Sequence, residues 1–162
     1  IQLTNAVLPS MRDQQRGHII NITSIAGYMG LPYRGIYSAT KAALEITTEA
    51  YRMEVMQFGI QMTNVAPGDF ATNIAAGRYH APLKANSPYK KAYGATLKMM
   101  DADVDSGQNP IKMAEAVYHI INKKTPKVRY TVGAFLQKFS IILKKILPSK
   151  MYEKILMSHY KL

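Results

Sequence analysis

A phenol and an ammonium stand four residues apart in the segment YSATK, at Tyr37 and Lys41, ahead of an alanine-rich run. On a helix, side chains at positions i and i+4 lie about 5–6 Å apart on one face. A free tyrosine has a pKa of about 10 and is a poor acid–base catalyst at neutral pH. A neighbouring ammonium favours the phenolate, which lets such a pair give or take a proton near neutral pH.

Two segments have the composition of buried strands: a serine ends the first, and a Pro-Gly pair follows the second. His18–Ser24 and Ile60–Ala66 are short, apolar and rich in β-branched residues, which is typical of parallel strands. The binding crevice of such a sheet lies at the carboxyl ends of its strands, so we expect Ser24 and Pro67–Gly68 to open into one crevice beside Tyr37. There Ser24 could hold a substrate oxygen by a hydrogen bond while Tyr37 exchanges a proton with it. On these residues alone, a solvated helix face and a serine bonded to backbone remain open interpretations.

The pattern of apolar residues predicts the elements that must position these groups. Helices are expected at 1–15, 36–58, 89–100 and 111–122, with a helix pair broken at Pro148 in 135–162, and strands at 18–24, 60–66 and 128–132. An acidic turn is expected at 101–110. Strands that alternate with helices favour an α/β fold: a partial doubly wound parallel sheet with crossover helices and an amphipathic C-terminal helical tail. Three strands are few for such a sheet, and we expect further strands from upstream sequence or from a partner.

The composition limits the classes of protein and site. The 162 residues are 48% hydrophobic and 19% charged, which is typical of one globular domain. The absence of cysteine excludes disulfides, thiolate nucleophiles and cysteine-based metal sites, and the scattered histidines give no metal-ligand spacing. A net charge of +11 favours either an anionic partner or lysines that solvate helix faces; because the basic residues are dispersed, we expect no nucleic-acid partner. No apolar run has the length of a membrane span, and we expect a cytoplasmic protein.

Three motifs, in order, make the sequence resemble the short-chain dehydrogenase/reductase family: GHIINITSIAG at 17–27, YSATKAALE at 37–45 and NVAPGDFATN at 64–73. The resemblance runs continuously from about Leu8 to Thr72 and more loosely through Val132. It implies a Rossmann-type domain portion over residues 1–134, followed by the basic amphipathic tail at 135–162. It also implies an NAD- or NADP-dependent oxidoreductase that interconverts an alcohol and a carbonyl by hydride transfer.

The resemblance assigns roles to residues by their position in these motifs. Tyr37 would be the general acid or base, and Ser24 would orient the substrate carbonyl or hydroxyl. Lys41 would favour the ionised form of Tyr37 and bind the nicotinamide ribose, so that Tyr37 and Lys41 both contact the cofactor. The nicotinamide end of the cofactor would also meet the residues around the Pro-Gly turn: Pro67, Gly68, Phe70 and Thr72.

The sequence departs from the family in lacking its glycine-rich phosphate loop. Gly27, Gly30 and Gly35 follow a predicted strand but lie too far apart to cradle a diphosphate. We therefore expect this polypeptide alone to bind NAD(P) weakly or not at all. Its residues leave open the choice of NAD or NADP, the substrate and the reaction direction. The alternative function is that of a truncated, catalytically incompetent family member that acts as a dimerising or membrane-surface module.

Two further segments indicate partners. The segment expected to cover the substrate, about residues 73–108, has apolar side chains that suit an apolar alcohol or carbonyl, or that simply pack the segment itself: Ile74, Tyr79, Pro82, Leu83, Tyr89 and Tyr93. The tail combines an apolar stripe with lysines, which is typical of a helix that lies on a membrane surface, on its own domain or on a second subunit. We accordingly expect a small-molecule substrate and a homo-oligomer, and a membrane-peripheral location stays open.

Overall fold

The computed structural model describes residues 1–80 and 82–162. Ala81 lies outside them; it belongs to the segment at about 73–108 that is expected to cover the substrate, called here the predicted lid. The described residues form one three-stranded sheet and six α-helices, in the order α1 (Gln2–Asp13), β1 (Gly17–Ile22), α2 (Gly35–Val55), β2 (Ile60–Pro67), α3 (Lys90–Asp105), α4 (Ile111–Ile121), β3 (Arg129–Val132), α5 (Phe135–Ile146) and α6 (Ser149–His159). Two 3₁₀ turns also occur, a first at Ile25–Tyr28 and a second at Met56–Phe58. The predicted α/β architecture is confirmed.

The strands pair in parallel in the order β1-β2-β3. The central position of β2 explains its apolar run, because a strand with neighbours on both sides is buried, as Val65 and Ala66 are completely. Ile22, the last residue of β1, pairs with Val65, and Pro67, the last residue of β2, pairs with Val132. The carboxyl ends of the three strands therefore meet at one edge of the sheet.

Helix α2 connects β1 to β2 and turns polar residues toward the sheet. Ser38, Glu45 and Thr48 are buried on its inner face. Two of its large apolar side chains, Ile46 and Met53, are instead about two-thirds exposed. The helix that carries the tyrosine–lysine pair thus has an exposed apolar face.

Helix α3 extends to Asp105, so the predicted acidic turn at 101–110 is wrong in its first half. The helix continues because Thr96, Met100 and Val104 repeat at four-residue spacing and are all buried. Burial of this face outweighs the weak helix propensity of the aspartates between them. Only the residues after Asp105 form the turn.

The tail forms the predicted helix pair, and it packs on the rest of the chain beside the carboxyl edge of the sheet. Ile141 of α5 and Tyr152 of α6 join Ile25 and Met29, in and next to the first 3₁₀ turn, in one buried cluster. One face of the tail therefore docks on the domain, which is one of the surfaces considered for it. In the residues that the structure describes, no helix combines the length and the apolar character needed to cross a bilayer.

Candidate active site

Ser24 lies just after β1, at the start of the first 3₁₀ turn. The β1 ladder continues through Thr23, whose N–H donates to Val65 O at 2.8 Å. Ser24 then caps the turn, because its Oγ accepts a hydrogen bond from Ala26 N–H at 3.1 Å. This bond uses one lone pair, and a serine hydroxyl has a proton and a second lone pair with which to hold a substrate oxygen.

Tyr37 and Lys41 lie one turn apart at the start of α2. Lys41 Nζ donates to Ile22 O, 3.2 Å away at the end of β1. The same ammonium lies 5.8 Å from the centre of the Tyr37 ring, a distance at which a cation is attracted to an aromatic face. Tyr37 is 44% exposed. The structure thus places a positive charge beside an accessible phenol.

Gly27 holds the serine turn against the helix. A Cβ on Gly27 would lie 3.1 Å from the carbonyl carbon of Lys41 and 3.2 Å from Ala42 N, closer than ordinary van der Waals contact. The turn reaches this distance only because residue 27 has no side chain. The strand end with Ser24 and the helix start with Tyr37 and Lys41 are therefore brought together at one place.

The Pro67–Gly68 turn lies next to the serine turn. A Cβ on Gly68 would be 3.3 Å from Ile25 Cδ1, in the residue after Ser24. Phe70 is buried and its side chain belongs to the core, whereas Thr72 is exposed. The Thr72 hydroxyl donates a long hydrogen bond to Phe70 O, at 3.4 Å. The residues proposed for the cofactor therefore offer backbone groups and one hydroxyl to this edge of the sheet.

A buried polar network behind the crevice links α2 to all three strands. Glu45 is only 3% exposed. Its carboxylate accepts a hydrogen bond from Thr23 Oγ1 and forms an ion pair with Arg129, whose Nε lies 3.1 Å away. Asn64 Nδ2 donates to Glu45 O at 3.1 Å. Arg129 also contacts Glu49, one helical turn further along. These bonds fix the rotation of α2 about its axis.

Tyr28 lies beside this network. Burial raises the pKa of Tyr28 to about 12, the nearby Glu45 carboxylate acts in the same direction, and Arg129 opposes it. The Arg129 guanidinium lies 5.8 Å from the centre of the Tyr28 ring. The Tyr28 phenol is therefore neutral at physiological pH.

One polar pair connects the Pro-Gly turn to the tail. Gln137 Nε2 donates to the Asp69 carboxylate, and Gln137 Oε1 accepts from Asp69 N–H at 3.3 Å. Burial raises the pKa of Asp69, the charge of Asp103 adds to this effect, and Arg34 opposes it. The turn is thus tied to a helix distant in sequence.

Neither the network nor this pair was predicted from the sequence. A signal for the network exists, since Glu45 is an acidic residue within an alanine-rich helical segment, and Asn64 interrupts an apolar strand. Asp69 and Gln137 are separated by 68 residues. No local pattern relates these two residues, so their contact could be found only from the fold.

The residues present fit the nicotinamide end of a dinucleotide better than its diphosphate end. Lys41, the exposed hydroxyl of Thr72 and the backbone of Pro67–Gly68 would hold the nicotinamide end. Gly27 cannot form a phosphate cradle, because α2 fills the space beside it. Among the described residues, no group of three histidine or acidic side chains could hold a metal ion.

The chain is similar to known proteins in sequence and in fold. The sequence profile of the family described as short chain dehydrogenase matches residues 1–82. A 3-ketodihydrosphingosine reductase of Bacteroides thetaiotaomicron is 38% identical over 161 residues, which cover 99% of this chain and 60% of that protein. A short-chain dehydrogenase from Streptomyces avermitilis has a crystal structure with a TM-score of 0.68 and 32% identity, covering 94% of this chain and 56% of that one.

A more distant structure supports the fold alone. A short-chain dehydrogenase from Burkholderia cenocepacia, crystallised with NADP, has a TM-score of 0.63 at 20% identity over 97% of this chain and 52% of its own. The chain thus spans between about half and three fifths of the length of these proteins.

Proposed function

The chain belongs to the short-chain dehydrogenase family, and on that premise we propose that it is the catalytic portion of an oxidoreductase that interconverts an alcohol and a carbonyl with NAD or NADP. The observation that carries the proposal is the position of the Lys41 ammonium, bonded to Ile22 O at 3.2 Å and 5.8 Å from the centre of the Tyr37 ring. The pair lies at the carboxyl edge of a parallel sheet, where ligands of such folds bind.

Each residue of the site has a distinct part in the proposed reaction. A bound nicotinamide supplies the hydride for reduction or accepts it in oxidation. Tyr37 gives its phenolic proton to the carbonyl oxygen during reduction and takes it back from the alcohol during oxidation. Ser24 holds the same oxygen by a hydrogen bond, and Lys41 stabilises the phenolate that Tyr37 becomes after proton transfer.

We propose an apolar ketone or alcohol as the substrate class. The predicted lid exposes several large apolar side chains: Ile74, Tyr79, Leu83 and Tyr89. Helix α3 of the lid is held near the site by Tyr93, which makes an edge-to-face contact with Tyr33 in the loop that leads into α2. The two ring centres are 5.3 Å apart. A relative named for the reduction of 3-ketodihydrosphingosine supports a long-chain ketone.

The test is an assay of NADH and NADPH oxidation by the natural gene product, with any sequence that precedes Ile1. The rate of oxidation is measured with 3-ketodihydrosphingosine and with a short, water-soluble ketone as the substrate. Tyr37→Phe should lower kcat by about 100-fold or more, because general acid–base catalysis contributes about 10²–10⁴-fold. Tyr118→Phe, at an exposed tyrosine of α4, is the matched control. An unchanged kcat in Tyr37→Phe, or no oxidation with either ketone, contradicts the proposal.

We propose a second copy of the chain as the partner of the outer face of α2. Ile46 and Met53 are about two-thirds exposed there, and exposed apolar faces of this kind commonly mark protein interfaces. Size-exclusion chromatography with light scattering should show a dimer or larger assembly that Ile46→Glu dissociates. A monomeric wild-type protein contradicts this.

A membrane surface is a second candidate partner, and the orientation of α5 favours it. The helix contacts the domain through Gln137 and Ile141. Most of its apolar stripe is exposed on the other side: Phe135, Leu136, Phe139, Ile142 and Ile146. Lys138 and Lys145 are exposed beside this stripe, and such a combination suits the headgroups of anionic lipids. A catalytically incompetent module would keep this property.

Co-sedimentation with anionic and with neutral vesicles tests the membrane contact. The natural gene product should pellet with anionic vesicles, and Phe135→Ser/Phe139→Ser should remain in the supernatant. Both side chains are exposed, so the fold should tolerate the change. Leu3→Ser, at an exposed leucine of α1, serves as the control. Equal pelleting of the natural gene product and of Phe135→Ser/Phe139→Ser contradicts the membrane contact. A natural gene product that pellets but has no oxidoreductase activity favours the non-catalytic module.

A further inference from the structure

The side chain of Gln137 lies across the Pro67–Gly68 turn although it belongs to the tail. Its Oε1 accepts hydrogen bonds from Asp69 N–H at 3.3 Å and from Ala134 N–H at 3.2 Å. Its Nε2 donates to the Asp69 carboxylate. One amide thus satisfies an N–H at the start of α5 and also an N–H and a carboxylate of the turn.

Two glycines make room for this side chain. A Cβ on Gly68 would overlap Gln137 Oε1, and a Cβ on Gly133 would lie 3.0 Å from the same atom and 3.2 Å from Gly68 Cα. The Gly68 N–H is itself occupied, because it donates to Val132 O at 2.8 Å. The side of the turn that faces the tail is therefore shaped around the amide of Gln137.

Asp69 joins the turn to a second segment as well. Asp69 O accepts from Gln108 N–H at 3.0 Å, and Ala71 N–H donates to Gln108 O at 3.0 Å. Gln108 follows α3, at the end of the predicted lid. The backbone of residues 69–71 is thus held from the lid side, while the Asp69 side chain is held from the tail.

We propose that Gln137 is a positioning residue that acts through Asp69 to fix the turn that receives the nicotinamide ring. This inference rests on the proposed function, since it gives the turn the role of nicotinamide site. A turn that is already ordered needs no binding energy for its ordering when the cofactor arrives. Without the Gln137 amide, the half-buried Asp69 loses hydrogen bonds at both its N–H and its carboxylate, and the turn is less firmly held because its contact with the tail is lost. The tail is then part of the cofactor site.

The test separates the two ends of the cofactor. The natural gene product is titrated with NADH or NADPH, and with ADP-ribose or its 2′-phosphate, which contain no nicotinamide. Gln137→Ala should raise the Kd for NAD(P)H about tenfold, which corresponds to the loss of one hydrogen bond to a charged group. The Kd for the nicotinamide-free ligand should stay within about twofold. If Gln137 had a merely structural role, Gln137→Ala would weaken the binding of both ligands equally.

Three further variants complete the test. Gln137→Met keeps the volume and removes the amide, so it replaces Gln137→Ala if that variant does not fold. Asp69→Asn keeps an oxygen that accepts from Gln137 Nε2 but replaces a charged acceptor by a neutral one, so it should raise the Kd for NAD(P)H less than Gln137→Ala does. Gln57→Ala removes a glutamine whose side chain donates to nearby backbone, at Glu54 O, and should have no effect.

The outcomes distinguish the inference from the function on which it rests. A wild-type protein that does not bind NAD(P)H overturns both. A wild-type protein that binds NAD(P)H, together with a Gln137→Ala variant that binds it equally well, overturns the inference alone. Equal weakening of both ligands in Gln137→Ala and Gln137→Met also overturns it, because the residue would then act only on the fold.

Discussion

Replacement of Arg129 by methionine should destabilise the fold by leaving a buried carboxylate without its cation. Glu45 is 3% exposed, and its Oε2 lies 3.1 Å from Arg129 Nε. Removal of one partner of a buried ion pair costs about 3–5 kcal/mol. Arg129 itself is 39% exposed, and the solvent around it screens the pair, so we expect a cost at the lower end, about 3 kcal/mol.

The complementary change should cost much less. Glu45→Gln keeps the shape of the side chain and an oxygen that accepts from Thr23, and it leaves Arg129 in contact with Glu49 and water. We expect a cost of about 1 kcal/mol or less. The double variant should be about as stable as Glu45→Gln, because it has no stranded charge. Glu49→Gln is the matched control: the Glu49 side chain is 37% exposed, and its loss should change the free energy of unfolding by at most about 0.5 kcal/mol.

Urea unfolding followed by far-UV circular dichroism measures these free energies. With an m-value of about 2 kcal/mol/M, a loss of about 3 kcal/mol lowers the midpoint of Arg129→Met by about 1.5 M. The decisive comparison is between Arg129→Met and the double variant. If the double variant is as unstable as Arg129→Met, the loss does not come from a stranded charge, and the electrostatic reasoning is refuted.

Titration of the 162-residue chain with NADH or NADPH should give at best millimolar affinity, because the described residues form no diphosphate cradle; a micromolar Kd contradicts this. The pKa of Tyr28 is raised from 10.0 to about 12, so its contribution to stability is complete below pH 10 and is lost as the pH rises from about 10 to about 12. The free energy of unfolding of Tyr28→Phe, measured in urea, should lack this part of the pH dependence. Identical pH profiles for Tyr28→Phe and the wild type would contradict the raised pKa of Tyr28. Gly27→Ala should destabilise the fold by about 1–3 kcal/mol and lower kcat by moving Ser24 from Lys41. Gly30→Ala, whose Cβ would meet nothing within 4 Å, should be neutral, and equal effects of the two variants in both assays would contradict the close contact.

Local pattern was sufficient to predict the order of the elements. The strand expected at 60–66 is observed at Ile60–Pro67, and the one expected at 128–132 is observed at Arg129–Val132. Their β-branched runs and the Pro-Gly stop are local signals. The end of α3 was not predictable in this way, because alternating aspartates indicate a turn, whereas the burial of Met100 and Val104 depends on what packs against them.

The contacts of the site show the same difference between what local sequence predicts and what depends on the fold. The approach of Lys41 to Tyr37 follows from helix geometry alone and was predictable. The ion pair between Glu45 and Arg129 requires the order of the strands, because Arg129 belongs to β3, on the far side of β2 from β1. The contact of Gln137 with Asp69 requires the path of the tail over the sheet edge. The catalytic and cofactor roles of the site residues stay predictions.

The polarity of α2 connects the proposed site with the proposed second copy. A crossover helix usually buries its apolar stripe against the sheet. At about 100° per residue, Ile46 and Met53 lie nearly opposite Tyr37 on this helix, whereas Glu45 is turned from Tyr37 by only about 80°. A rotation that buried Ile46 against the sheet would break the bonds of Glu45 and turn Tyr37 away from the serine turn. Because the position of Tyr37 keeps Ile46 and Met53 off the sheet, their apolar area is available to the proposed second copy, and one helix face orients the phenol while the other would favour association.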